Sequence, residues 1–136
     1  MAVSMTPKPK VVIVEDEAAI RQMYATKLSL EGFDVHTAED GREGLRVIKK
    51  NLPDIILLDL RMPHMSGDEM LAKLRATDWG ARTRVIILTN LSRNEAPGSL
   101  RYLQVDRYVV KAHYTPAQVV AIVRESCTCH LARSLT

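Results

Sequence analysis

The chain has little of several features that mark membrane, secreted or nucleic-acid-binding proteins. Its 136 residues contain no apolar run close to the roughly 18 residues of a membrane-spanning helix. Residues 1–10 are polar and carry two prolines, so no signal peptide is predicted. The 19 basic and 16 acidic residues are interspersed, without the block of cations that suits a nucleic acid. We therefore expect one cytoplasmic domain whose partners include neither membrane nor nucleic acid.

Cysteine is scarce as well. The two cysteines, Cys127 and Cys129, are two residues apart near the end of the chain. In a helix this spacing points the side chains about 200° apart, which disfavours a disulfide between them. Together with His130 they could bind a metal only with ligands from elsewhere. We interpret them as small side chains on the last helix of a reduced protein.

Strand and helix patterns alternate regularly along the remainder. Continuous or alternating apolar runs predict five strands, at residues 10–14, 33–37, 54–59, 84–89 and 107–110. Helical periodicity and capping residues predict helices at residues 18–31, 40–50 and 66–76, and a last helix from Pro116 onward. Ser66 and Glu69 have the spacing of a capping box for the third of these helices.

The alternation predicts an α/β fold of the flavodoxin-like class. Right-handed crossovers would place helices on both faces of a doubly wound, five-stranded parallel sheet with strand order 2-1-3-4-5. We expect a flexible tail at residues 1–9, the domain at residues 10–127, and the end of the last helix with a short tail at residues 128–136.

Polar residues follow four of the apolar runs, at the point where each run ends. They are Glu15 with Asp16, then Asp59, Thr89 and Lys111. The carboxyl ends of parallel strands share one edge of the sheet, so these side chains should meet there. Three acids in one crevice repel one another unless a cation lies among them. A threonine and a lysine beside them can hold an anion that bridges to the cation.

The acids suit Mg2+, which prefers oxygen ligands in an octahedron and keeps several waters. Asp16 and Asp59 are the predicted direct ligands. Glu15 would reach the ion through water, and the backbone carbonyl of Arg61 would complete the protein ligands.

A carboxylate can also accept a phosphoryl group as an acyl phosphate. Asp59 is the best placed, because it ends a buried central strand and a neighbouring cation would let an anionic donor approach it. Lys111 and Thr89 would then bind the phosphoryl oxygens.

The residues named above lie in four motifs that resemble the receiver domain of two-component response regulators, as in a stand-alone, chemotaxis-regulator-like protein. The resemblance covers about residues 10–126, and its motifs are VIVEDE at 12–17, DLRMPHMSG at 59–67, VIILT at 85–89 and YVVK at 108–111. It implies a role for each residue: Asp59 as phosphoacceptor, Glu15 and Asp16 as the acidic pair for Mg2+, Thr89 and Tyr108 as the switch pair, and Lys111 as the phosphate-binding lysine.

The resemblance also implies partners. A histidine kinase or a histidine phosphotransfer protein would supply the phosphoryl group. Phosphorylation would draw Thr89 inward, let Tyr108 turn, and change the face formed by the fourth helix, fifth strand and fifth helix, where a downstream protein would bind. The protein would be a signalling domain that takes part in its own phosphorylation, and not a classical enzyme. Only 25 residues follow Lys111, so we expect output through a separate partner, unless the sequence is a fragment of a longer protein.

Two departures from the family pattern affect that face. Ala112 stands where the family has a cis proline, so the bond before it is either trans or strained. Pro97 and Gly98 interrupt the fourth helix. We therefore predict a loop at residues 90–96 and about two helical turns from Pro97, anchored by Leu100, Tyr102 and Leu103.

Other proteins use parts of the same chemistry. A haloacid-dehalogenase-like phosphatase needs a second aspartate two residues after the first, where this chain has Arg61. A flavodoxin-like electron carrier needs small and hydroxylated residues in its first loop, where this chain has Glu15, Asp16 and Glu17. A phosphorylation-independent adaptor of receiver type stays as the alternative, because a competent site does not show that it is used.

Overall fold

The computed structural model describes residues 8–135 and the side chains of residues 8–127. The predicted tail at residues 1–9 therefore lies largely outside the described part, as do the side chains of Cys129 and His130. The helix that follows residue 115 runs to Leu135, so its end lies within residues 128–136, the range predicted to hold the end of the last helix.

The five strands form one parallel sheet in the order β2-β1-β3-β4-β5, which confirms the predicted fold class and topology. The strands are β1 (Lys10–Val14), β2 (Asp34–Ala38), β3 (Ile55–Leu58), β4 (Arg84–Thr89) and β5 (Arg107–Val110). The helices are α1 (Ala18–Leu30), α2 (Gly41–Asn51), α3 (Gly67–Arg75) and α4 (Pro116–Leu135).

Both faces of the sheet are buried, which explains why the central strands are continuous apolar runs. Side chains along a strand alternate between the two faces. In β1, Val11 and Ile13 join the core that contains residues of α1 and α4, while Val12 and Val14 join the core that contains residues of α2 and α3. Helices on both faces therefore leave the ends of the strands as the place where polar residues can cluster.

The strand register brings the carboxyl ends of four strands to the same edge of the sheet. Val14 pairs with Leu58, Leu58 with Ile87, and Ile87 with Tyr108. Glu15 and Asp59 come directly after this row, Thr89 comes two residues after Ile87, and Lys111 comes three residues after Tyr108. The register therefore brings the predicted site residues to one edge of the sheet.

Two helices begin with the caps expected from their sequences, and a third does not. Asp40 accepts a hydrogen bond from the backbone N–H of Glu43 at the start of α2. Thr115 and Gln118 form a reciprocal capping box at the start of α4. The capping box predicted for α3 is wrong, because the Ser66 hydroxyl donates to a Glu69 carboxylate oxygen (3.1 Å) and no side-chain cap forms there.

The segment between β4 and β5 is not one helix. It contains two 3-10 turns, Arg93–Glu95 and Gly98–Tyr102, separated by an extended Ala96 (ψ 146°). Pro97 explains the break, because the residue before a proline avoids helical angles. The predicted interruption is thus confirmed, although residues 90–96 include a short turn.

One of the three predicted anchors of this segment is wrong. Leu100 and Leu103 pack against the core between the sheet, α2 and α3, but Tyr102 is 84% exposed. A 3-10 turn has three residues per turn, so residues three apart share one face. This places Leu100 and Leu103 together and turns Tyr102 toward solvent.

The chain after β5 needs no cis bond. Lys111–His113 forms a 3-10 turn, and no peptide bond in the described residues is cis, so the bond before Ala112 is trans. With alanine in place of the proline, the peptide bond before residue 112 is trans, so the backbone does not bear the cost of a cis bond before a residue other than proline.

Candidate functional site

Three acids converge at the carboxyl ends of β1 and β3. Glu15, Asp16 and Asp59 each offer a carboxylate oxygen, and these oxygens lie within 4.8 Å of one another. Glu15 and Asp59 are buried (3% and 7% exposed), whereas Asp16 is exposed. The predicted gathering of the acids is confirmed. Their oxygen-only donor set fits a hard divalent cation.

Lys111 lies between the two buried acids. Its ammonium donates to Oε1 of Glu15 and, at 3.4 Å, to Oδ2 of Asp59. The side chain comes from the end of β5, two strands away from Asp59 in the sheet. Glu15 precedes Lys111 by 96 positions in the chain, and Asp59 precedes it by 52. The two contacts therefore fix the edge strand β5 to the centre of the site.

Burial and mutual charge shift the ionisation of this pair. Burial raises the pKa of Glu15 from 4.5 to about 7, and the charge of Asp59 adds to this, while the Lys111 hydrogen bond opposes it. Burial lowers the pKa of Lys111, but its hydrogen bond to Glu15 and the charges of both acids outweigh burial, so the net pKa is raised. The lysine therefore stays cationic, as a ligand for phosphoryl oxygen must be.

The backbone around Asp59 depends on a glycine. A Cβ on Gly67 would lie 2.2 Å from the Asp59 carbonyl oxygen and 2.9 Å from Cα of Leu60. The Gly67 N–H donates to the Leu60 carbonyl (2.9 Å), which holds the start of α3 against the end of β3. The Arg61 N–H donates to Oδ1 of Asp59 (3.3 Å). The Arg61 side chain is exposed, and its carbonyl as a metal ligand stays a prediction.

Thr89 and Tyr108 are connected through the loop that follows β4. Thr89 is 1% exposed, and its hydroxyl oxygen accepts from the Leu91 N–H (3.4 Å). The Tyr108 hydroxyl donates toward the carbonyls of Leu91 (2.8 Å) and Ser92 (3.2 Å). A displacement of Leu91 would therefore alter the hydrogen bonds of both side chains.

Arg93 covers the tyrosine from outside. Its guanidinium carbon lies 5.7 Å from the centre of the Tyr108 ring, within the range of a cation–π contact. Tyr108 is partly buried and is held toward this loop, not toward the acids.

The sequence predictions missed two residues that build the site. Arg21 on α1 donates to the carbonyls of Glu15 (2.8 Å) and Asp16 (3.4 Å). Gly67 appeared only as part of a motif, without its contact to Asp59. Neither contact has a signal in periodicity or composition, because each depends on how the loop after a strand turns.

Comparison with known proteins places this geometry in a family. The family model described as the response regulator receiver domain matches residues 11–124. The chain belongs to the response regulator receiver family. It is a signalling domain of two-component systems by that membership, and the similarity inferred from its four motifs is confirmed.

Solved receiver structures share the fold along nearly their whole length. The chemotaxis protein CheY4 of Vibrio cholerae is 29% identical with a TM-score of 0.81, and the alignment covers 88% of this chain and 98% of that one. The receiver domain of the Francisella response regulator 1452 is 31% identical with a TM-score of 0.79, with coverage of 90% and 99%.

Curated relatives of the receiver are longer proteins. The probable transcriptional regulator ycf27 of Porphyridium aerugineum is 35% identical over 86% of this chain but only 47% of its own length. The regulatory protein PhoB of Rhizobium meliloti is 37% identical over 87% of this chain and 53% of its own length. The chain thus spans about half the length of these relatives.

The lengths and names of these relatives concern two expectations from the sequence, namely a stand-alone receiver and the absence of a nucleic-acid partner. A stand-alone receiver is not confirmed, because the curated relatives continue well beyond the matched region. The absence of a nucleic-acid partner is unsupported as well, because these relatives are named as transcriptional regulators. Within the described part of the chain, no helix is long and apolar enough to cross a membrane.

Proposed function

We propose that this receiver accepts a phosphoryl group on Asp59 and thereby changes a surface that a protein partner reads. The observation that supports this most directly is the cluster itself: a buried Asp59 carboxylate next to two further acids and a lysine ammonium. Buried like charges are costly unless positive charge lies among them, and a bound cation beside Lys111 would also let an anion approach. The proposed cation is Mg2+ and the proposed anion is the phosphoryl group.

Each residue has a defined task in the transfer. Mg2+ would be held directly by the carboxylates of Asp16 and Asp59 and by the carbonyl of Arg61. Glu15 would contact the ion through water. The bound ion would neutralise charge on the transferring phosphoryl group. A carboxylate oxygen of Asp59 forms the new P–O bond as the P–N bond of a donor phosphohistidine breaks, and the freed imidazole takes up a proton from solvent.

Lys111 and Thr89 would bind the transferred group. Lys111 already donates to Asp59, so a short movement lets its ammonium contact a phosphoryl oxygen. The Thr89 hydroxyl would give up its contact with the Leu91 N–H and donate to another phosphoryl oxygen. Because Leu91 also accepts from Tyr108, this movement would release Tyr108 to turn inward.

The partner surface follows from that release. It would comprise the two 3-10 turns at residues 93–102, β5 and α4, which stand for the fourth helix, fifth strand and fifth helix of the family. A histidine kinase or histidine phosphotransfer protein is the proposed donor. We also propose that residues 10–127 fold as the unit that carries this activity and that it acts in the cytoplasm. The match of the family model to residues 11–124 supports the range.

Intact mass measurement tests the assignment. The protein is incubated with Mg2+ and a small acyl-phosphate donor and then weighed, together with Asp59→Asn and a control, Asp78→Asn, which removes an exposed acid from the turn before β4. The wild type and the control should gain one phosphoryl mass, and Asp59→Asn should gain none. A phosphorylated Asp59→Asn protein would refute the site. A wild type that gains no mass would favour the phosphorylation-independent adaptor instead.

A further inference from the structure

Arg21 binds the backbone of the acidic loop. It lies on α1, and its Nη1 donates to the Glu15 carbonyl at 2.8 Å and to the Asp16 carbonyl at 3.4 Å. These two residues supply two of the three clustered carboxylates. One guanidinium thus contacts the main chain of both acids without touching either carboxylate among the described residues.

The two acids differ in what holds their carboxylates. Glu15 is buried, and its carboxylate accepts from Lys111 and from the Glu17 N–H. Asp16 is exposed, and its carboxylate accepts no hydrogen bond from the part of the chain that the structure describes. No described hydrogen bond orients the Asp16 carboxylate directly, so its position relative to Asp59 depends on the placement of its backbone, which Arg21 holds.

We propose that Arg21 is a positioning residue for the cation site, which fixes the peptide groups of Glu15 and Asp16 so that the Asp16 carboxylate faces Asp59. The inference rests on the proposed function, since it concerns the affinity of that site for a divalent cation. Outer residues that orient metal ligands commonly change metal affinity by about 10- to 100-fold when replaced.

Charge and positioning make opposite predictions for this residue. A guanidinium near the cluster repels a divalent cation, so removing its charge would by itself tighten cation binding. Loss of the two carbonyl contacts would instead free the loop and weaken binding. The sign of the change therefore identifies which effect dominates.

The test measures Mn2+ binding directly, from the electron paramagnetic resonance signal of free Mn2+. Arg21→Met keeps much of the side-chain stem but removes the donors, and Arg21→Lys keeps the charge but loses the planar fork. Arg46→Met, on the exposed side of α2, removes the same charge elsewhere. We expect the dissociation constant for Mn2+ to rise about tenfold in Arg21→Met and about threefold or more in Arg21→Lys. It should change less than about twofold in Arg46→Met.

Two further readouts separate positioning from general loss of structure. The thermal midpoint without divalent cations should be nearly unchanged in Arg21→Lys, which decides the test if Arg21→Met does not fold. The phosphorylation rate at saturating Mg2+ should approach that of the wild type, while the half-saturating Mg2+ concentration rises. Unchanged or tighter Mn2+ binding in the Arg21 variants would overturn the inference. Failure of the proposed function would appear in the wild type itself, as no gain of phosphoryl mass.

Discussion

Glu15 has a buried carboxyl group whose ionisation opposes folding. Its pKa is raised from 4.5 to about 7 by burial, with a further contribution from Asp59. A carboxyl with a higher pKa in the folded state holds its proton more tightly there, so this group stabilises the fold at low pH. That stability is lost as the pH rises from about 5 to about 8. The rise of the Glu15 pKa from 4.5 to about 7 corresponds to a loss of at most roughly 3 kcal/mol.

Urea unfolding without divalent cations tests this prediction. The free energy of unfolding of the wild type should fall between about pH 5 and about pH 8, and Glu15→Gln should show a flatter dependence. Asp78→Asn provides the control, because its exposed carboxyl is remote from the cluster. Parallel pH curves for Glu15→Gln and the wild type would show that Glu15 is not the group responsible.

Gly67 allows α3 to approach Asp59 closely because it has no Cβ. A Cβ at this position would lie 2.2 Å from the Asp59 carbonyl oxygen, which belongs to the main chain directly after the central strand β3 and cannot easily move. We expect Gly67→Ala to lose about 2 kcal/mol or more of stability, and to slow phosphorylation because Asp59 is displaced.

Gly98→Ala is the matched control for this substitution. A Cβ at Gly98 would have no atom within 4 Å, and its backbone is not left-handed. Its free energy of unfolding should change by less than about 0.5 kcal/mol. Equal stability of the two alanine variants would contradict the close approach at Gly67.

At the scale of the elements, the loop before β5 contains a strained residue. Gln104 is exposed and has a left-handed backbone (φ 55°), which costs a residue with a Cβ about 1 to 2 kcal/mol. The Arg75 guanidinium donates to the Leu103 and Gln104 carbonyls, both at 2.8 Å, and so holds this conformation from α3. Gln104→Gly keeps these backbone acceptors and should raise the free energy of unfolding by up to about 1 kcal/mol.

Thermal or urea unfolding measures this gain. Gly32→Ala, which places a side chain on a backbone with φ of 96°, should lose a similar amount and serves as the reverse control. A less stable Gln104→Gly protein would show that the side chain, and not the backbone, holds this loop.

The elements could be predicted where one local rule dominates. The bounds of β1, β4 and β5 follow directly from apolar runs, and Pro97 fixes the break between the two 3-10 turns. Ser66 and Tyr102 could not be predicted correctly, because each depends on a choice between competing local contacts. The Ser66 hydroxyl binds the Glu69 side chain in place of the backbone, and the 3-10 geometry turns Tyr102 outward.

At the scale of the whole molecule, topology accounts for most of the site. The order of parallel strands brings Glu15, Asp59 and Lys111 together from three distant parts of the chain, so their residue types and strand positions sufficed to predict the cluster. The supporting contacts of Arg21 and Gly67 could not be predicted in this way. They depend on loop geometry of a few tenths of an ångström, which no sequence pattern encodes.

The same topology separates the two ends of the sheet, and Trp79 reports on the remote end. It is the only tryptophan of the chain and lines an open pocket with Pro53 and Arg84, at the amino ends of β3 and β4. The acids follow the carboxyl ends, about 15 to 20 Å away along strands of this length. Tryptophan fluorescence should therefore barely change when Mg2+ is added.

A Met62→Trp, Trp79→Phe double variant places the indole in the loop after Asp59 and should respond clearly. A large, saturable quench of Trp79 in the wild type would mean that the cation binds at the other end of the sheet.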